Sequence, residues 1–186
     1  MKQKLINFLL SFNRKKNYST EYKFFSIIMG IIFYLVILPI IIIWISILIG
    51  KYIPNINLPR IYELLFSIIS IIFGLYFISW TAMSHWISGK GTPVFNAPSK
   101  KLIITGPYKL SRNPIQLGAI FYFLGLGMIY EGVMIGVITF IITTIGASMF
   151  HKFIEEEELI KKFGDEYIEY KETTPFLFPN IFKHIS

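Results

Sequence analysis

The chain has no cysteine. Disulfides, thiolate metal sites and cysteine nucleophilic catalysis are therefore excluded. Acidic residues are scarce as well: 11 Asp and Glu stand against 18 Lys and Arg, a formal net charge of +7. Charge of either sign is missing altogether from long stretches. Residues 24–50 carry none over 27 positions, and residues 64–89 carry none. Residues 113–130 and 132–150 are two shorter uncharged runs parted by Glu131. A helix needs about 20 apolar residues to cross the hydrocarbon core. Lipid forces every backbone polar group to find a partner inside its own segment, which favours helices. The expectation is an all-α integral membrane fold in a single domain, 1–186. Its four transmembrane helices fall at 24–50, 61–86, 114–130 and 132–150. Pro39 is expected to kink the first.

A net charge of +7 in a soluble protein would suggest nucleic acid as a partner, but the placement argues against it. Lys and Arg number six before the first span, two in 51–60, five in 90–112, none between the last two spans and five after residue 150. That alternation is the positive-inside pattern for a multi-pass cell-membrane protein with both termini in the cytoplasm. The basic excess then meets anionic lipid headgroups, so membrane lipids are the expected partners and nucleic acid is not. Leu5 to Phe12 is too short and lacks the small-residue site of a cleaved signal peptide. Together with Asn13-Arg14-Lys15-Lys16 it reads as a basic interfacial segment, 1–23, or equally as a frayed tail.

Two segments emerge on the same side of the spans. The first, SGKGTPVFNAPSKKLIITGPYKLSR from Ser88 to Arg112, is long for a connection, and long ordered loops are usually functional. It contains a β-like run at Leu102–Thr105. Asn113-Pro114 after it has the residues of a helix start, Asn at the N-cap and Pro at N1. The free amides there, with Arg112, suit a carboxylate, or else Arg112 simply pairs with lipid phosphate. The second segment, 151–186, begins where the last helix runs on through His151 to Phe163 and stops at Gly164, a C-cap residue. A short helix follows from Asp165 to Glu172. Within Glu155-Glu156-Glu157-Glu158, Glu157 and Glu158 have Lys161 and Lys162 four residues on, while Glu155 and Glu156 have no such partner. Glu155 shares a helix face with His151; two ligands without a third are weak grounds for metal, and none is expected. Tyr167, Tyr170, Phe176, Phe178 and Phe182 suit either a flat or isoprenoid ligand or docking of the tail on the bilayer. The opposite side of the membrane offers almost nothing polar enough for chemistry.

In this order the segments resemble the isoprenylcysteine carboxyl methyltransferase family, related to the membrane phospholipid methyltransferases. The residues that carry the likeness are Gly106-Pro107-Tyr108, Arg112-Asn113-Pro114 and Gly118, then Glu155-Glu156, Leu159, Phe163-Gly164, Tyr167, Tyr170 and Pro175. The resemblance implies an S-adenosylmethionine-dependent enzyme that methylates a lipophilic acceptor. Its cofactor lobe would be formed by the 88–112 loop and the C-terminal helices. It implies Arg112 and Glu155 as catalytic residues. Cofactor contacts would come from Lys100, Lys101, Leu102, Ile103, Tyr108, Asn113, Pro114, Ile115, Gln116 and Glu155. Gln116 stands where the family usually has Tyr. His151 stands where the carboxyl methyltransferases have an Arg that orients the acceptor carboxylate, and is the expected acceptor contact. A phospholipid amine or a small thiol is the alternative acceptor. Outside enzymes, the rival is a four-span transporter or assembly factor. Transporters place ionisable groups at mid-bilayer, and the centres of these spans lack them.

Overall fold

A computed structural model describes residues 2–12, 18–54, 56, 58–94 and 96–179. The fold is all-helical, and no strand occurs among the described residues. Helix α1 is Lys2–Phe12. Four helices are long and apolar enough to cross a membrane: α2, Thr20–Gly50; α3, Arg60–Ile87; α4, Pro114–Glu131; and α5, Val133–Phe163. A last helix, α6, covers Asp165–Thr173. The spans expected from hydropathy are all present. The last runs to Phe163, as its periodicity indicates.

Small residues let α3 and α4 touch backbone to backbone. A Cβ added to Gly118 would lie 2.7 Å from the Gly74 carbonyl, and one on Gly74 would lie 2.6 Å from the Gly118 carbonyl. Close approach of this kind drives helix association where lipid removes the hydrophobic incentive. In α2 the break comes before Pro39, as a π-helical stretch over Ile32–Ile37. Pro39 has no N–H to offer the carbonyl four residues back, Leu35. The Tyr122 hydroxyl of α4 donates to that carbonyl instead, at 3.1 Å.

The hairpin end of the bundle is not chemically empty, contrary to expectation. Glu63 is buried, and its Oε1 accepts from the Val133 N–H at 3.0 Å. Arg60 donates to Glu63 at 3.2 Å and to the Ile129 carbonyl at 2.8 Å. One ion pair thus caps the start of α5 and the end of α4 across the tight Gly132 turn, where φ is +86°. Those termini would otherwise leave orphan amides and carbonyls facing lipid headgroups.

Helix α1 does not float free. Ile6 is fully buried and Leu9 nearly so, Lys2 pairs with Glu157 of α5 at 2.6 Å, and Leu9 lines a large internal cavity. The apolar face assigned to the lipid interface is thus turned toward α5, leaving Leu5 and Phe8 exposed. Asn13 to Lys16 lie outside the described residues, as does Phe182.

Candidate active site

The two polar segments meet at the loop end of the bundle. Helix α5 loosens into a π turn at His151–Glu155, where the Glu156 N–H reaches back to the His151 carbonyl. Such turns are frequent at functional sites. Gly164, at φ +57°, ends α5 and reverses the chain into α6. Arg112 then ties the loop to this helical lobe. Its Nη1 donates to Glu156 Oε1 at 2.5 Å, its Nε to the Thr174 carbonyl at 3.1 Å, and its backbone N–H to the Pro175 carbonyl at 2.9 Å. Asn113 Nδ2 donates to the Phe176 carbonyl at 2.9 Å, and the Tyr170 hydroxyl donates to the Tyr108 carbonyl at 2.7 Å. Leu177 finishes the clasp by packing on Phe77, Leu117 and Ile120.

These contacts border a partly open cavity of about 780 Å³. Lys101, Tyr108, Glu155 and Lys162 line its polar end, and Ile31, Leu38, Phe123 and Ile142 belong to its apolar wall. Gly146 also lines it, and a Cβ placed there would find no atom within 4 Å. Gln116 is buried on the same wall, and neither Oε1 nor Nε2 has a hydrogen-bond partner. A buried amide without partners costs roughly 1–3 kcal/mol, so it suits a wall whose occupant carries hydrogen-bonding groups.

Of the residues singled out in the sequence, Lys101, Leu102, Ile103, Tyr108, Arg112, Asn113, Ile115, Gln116, His151 and Glu155 line this cavity. Lys100 and Pro114 do not. Lys100 Nζ lies 4.7 Å over the Tyr18 ring, and Pro114 is fully buried at the start of α4.

Four local expectations are corrected. The β-like run at Leu102–Thr105 is not a strand, because no neighbouring segment offers it a ladder. Asn113 occupies the N-cap position of α4 without capping it: its side chain turns to Phe176, and its own N–H donates to Ser111 Oγ at 3.1 Å. The free amides at this helix start are those of Ile115 and Gln116, since Pro114 has none and the Leu117 N–H already reaches the Asn113 carbonyl. Arg112 does not stand ready for a ligand carboxylate, because Glu156 neutralises it. Lys162 reaches across to the Ser99 carbonyl at 2.7 Å, and Glu158 faces the cavity, so local pairing is not the whole account of either. The Glu157–Lys161 pair forms as spaced, at 2.9 Å. Glu155 pairs with His151.

The family model for phospholipid methyltransferase matches residues 62–166, more than half of the chain. The chain belongs to the phospholipid methyltransferase family. It is therefore a membrane methyltransferase, within the superfamily that also holds the isoprenylcysteine carboxyl methyltransferases. No curated protein sequence matches it. The family match takes in the loop, Arg112–Gln116 and His151–Glu156, and leaves all of α1 and α2 and most of α6 outside it.

Sequence reasoning missed a second, part-buried cluster in this membrane methyltransferase. His85, in the last turn of α3, hydrogen-bonds on both ring nitrogens. Nε2 lies 2.6 Å from the Tyr108 hydroxyl and Nδ1 lies 2.7 Å from Ser99 Oγ. In the sequence His85 stands alone near the end of an uncharged run, close to Trp80 and Trp86, whose indoles suit the membrane interface. Its two partners lie 14 and 23 residues away, in an irregular loop that no periodicity describes. Burial pushes the Tyr108 hydroxyl well above its usual range and pushes Tyr167 up to about 12. Both phenols are neutral hydrogen-bonding groups at physiological pH.

Proposed function

We propose that the protein transfers a methyl group from S-adenosylmethionine to a lipophilic acceptor that reaches the cavity from the bilayer. One observation carries this reading: a single cavity joins a charged, hydrogen-bonding end to an apolar wall made by membrane-length helices. A water-soluble nucleotide and a lipid tail need those two environments side by side. The sequence resemblance and the family membership support the same cofactor.

The residues present fit that group. The Glu155 carboxylate suits ribose hydroxyls or the amino group, and still has lone pairs to spare beside His151. The amides of Ile115 and Gln116 open the positive end of α4 toward a carboxylate. The partnerless Gln116 side chain supplies one donor group and one acceptor to whatever lies against it. When bound, S-adenosylmethionine supplies an electrophilic methyl group. What the chain contributes is placement and exclusion of water, which accounts for much of the barrier in a displacement of this kind. Arg112 holds the lobe closed through Glu156.

The Lys and Arg distribution supports a cytoplasmic polar end, with both termini on that side of the cell membrane. The resemblance to the isoprenylcysteine carboxyl methyltransferases implies a prenylcysteine carboxylate as acceptor. His151 beside Glu155 is not a cation free for such a group, which favours an amine or thiol headgroup. Incubating the purified protein with methyl-labelled cofactor and extracted membrane lipid tests the proposal. Label in a lipid product is expected. Solute flux through the protein in liposomes, with no labelled lipid, would point to the transporter rival.

A further inference from the structure

We propose that His85 receives the proton of the acceptor's nucleophilic atom, relayed through the Tyr108 hydroxyl. The inference rests on the methyl-transfer reading above and adds residues that the reading leaves without a part. A carboxylate acceptor brings a free lone pair and no proton. An ammonium headgroup must lose a proton before its nitrogen can attack. The wall of this cavity carries an oriented imidazole and phenol placed for that task.

Both His85 and Tyr108 line the cavity, 2.6 Å apart at Nε2 and Oη. Imidazole with both nitrogens hydrogen-bonded and a single ring proton has two possible arrangements. A phenol is a far stronger proton donor than an aliphatic hydroxyl, so Tyr108 donates to Nε2 and the Nδ1–H donates to Ser99 Oγ. Ser99 is itself buried, and its carbonyl is held by Lys162 Nζ at 2.7 Å. The Tyr108 backbone is held independently by the Tyr170 hydroxyl. With its proton committed to His85, the Tyr108 oxygen keeps lone pairs for an N–H from the acceptor. Glu155 and Lys162 are the charged groups whose fields reach His85.

The step balances. One ammonium proton passes to Tyr108 Oη as the Tyr108 proton passes to His85 Nε2. The freed nitrogen lone pair forms the new N–C bond, the S–C bond breaks, and its electron pair stays on sulfur. The product is a methylated ammonium, and the imidazolium afterwards returns its proton to water.

The same hydrogen bonds also pin the loop to α3, so the test must separate a pin from a relay. The full chain, labelled with nitrogen-15 histidine, is placed in lipid discs containing phosphatidylethanolamine as the probe acceptor. The chain has three histidines, and loss of one resonance in His85→Gln assigns His85. Before any cofactor is added, that resonance should report the neutral Nδ1–H tautomer, and Tyr108→Phe should shift its Nε2 signal. An Nε2–H tautomer would overturn the relay. In kinetics, His85→Gln should lower kcat by about 100-fold near neutral pH, the scale of general-base loss. Cofactor affinity by calorimetry should change by no more than about twofold, well short of a loss of binding energy. The lost rate should return as pH rises and the headgroup sheds its proton unaided. A variant with the wild-type pH profile would make His85 a pin only. Methylation of a prenylated cysteine carboxylate in place of the amine would also overturn the relay. Failure of the wild-type protein to bind S-adenosylmethionine would instead bring down the function itself, and the relay with it.

Discussion

Arg112 Nη1 donates to Glu156 Oε1 at 2.5 Å, and each side chain is only 9% exposed. This pair joins the loop after α3 to the helical lobe after the last span. It spends the one arginine of the conspicuous Arg112-Asn113-Pro114 motif on architecture. Removing one partner of a buried pair strands the other charge, at about 3–5 kcal/mol. Glu156 also accepts from Lys171 at 2.5 Å, but the Lys171 side chain is 40% exposed and water can serve it, so the stranded cation is Arg112. Glu156→Ala should therefore lower the Tm in detergent sharply, and Arg112→Lys should lower it less. Thermal unfolding followed by helical circular dichroism checks both. A Glu156→Ala protein as stable as wild type would remove the pair from the architecture.

Gly118 lies against the Gly74 carbonyl, with Ile78 Cγ1 2.9 Å from where its Cβ would be. Neither backbone has room to yield without opening the α3–α4 contact. Gly118→Ala should cost about 1–3 kcal/mol, as overpacking usually does. The same unfolding measurement reads it, and an unchanged Tm would mean that the helices do not approach as closely as described.

Gly146 is the opposite case, because a side chain there meets open cavity. Gly146→Leu should leave the Tm and cofactor affinity close to wild type. It should raise KM for long-tailed lipid acceptors by about tenfold, the scale of one lost or blocked apolar contact region. Steady-state kinetics against acceptors of graded tail length would show it. A KM indifferent to tail length would place the lipid elsewhere.

Much of the fold is legible in the chain because hydropathy is a local property. The four uncharged runs mark α2 to α5, and Gly132 and Gly164 sit at the turns that their positive φ requires. Pairings across distance are not local, and the reading fails there. Glu63 has nothing in its neighbourhood to reveal that it caps Val133, 70 residues on. Glu155 and Glu156 look alike as acids without i+4 partners, yet one faces the cavity and the other binds Arg112, 44 residues back. The β-like composition of Leu102–Thr105 reflects apolar residues that pack without pairing, as buried Ile103 does. A single histidine at a helix end carries no pattern, so nothing local marks His85.

The central claim is that the polar end of the cavity holds S-adenosylmethionine through Glu155. Isothermal titration of the detergent-solubilised full chain with S-adenosylmethionine tests it most directly. The wild-type protein should bind, Glu155→Gln should bind at least about tenfold more weakly, equivalent to about 1.4 kcal/mol, and Glu131→Gln, at the far end of the bundle, should match wild type. No binding by the wild-type protein, or equal weakening by the two substitutions, would contradict the account.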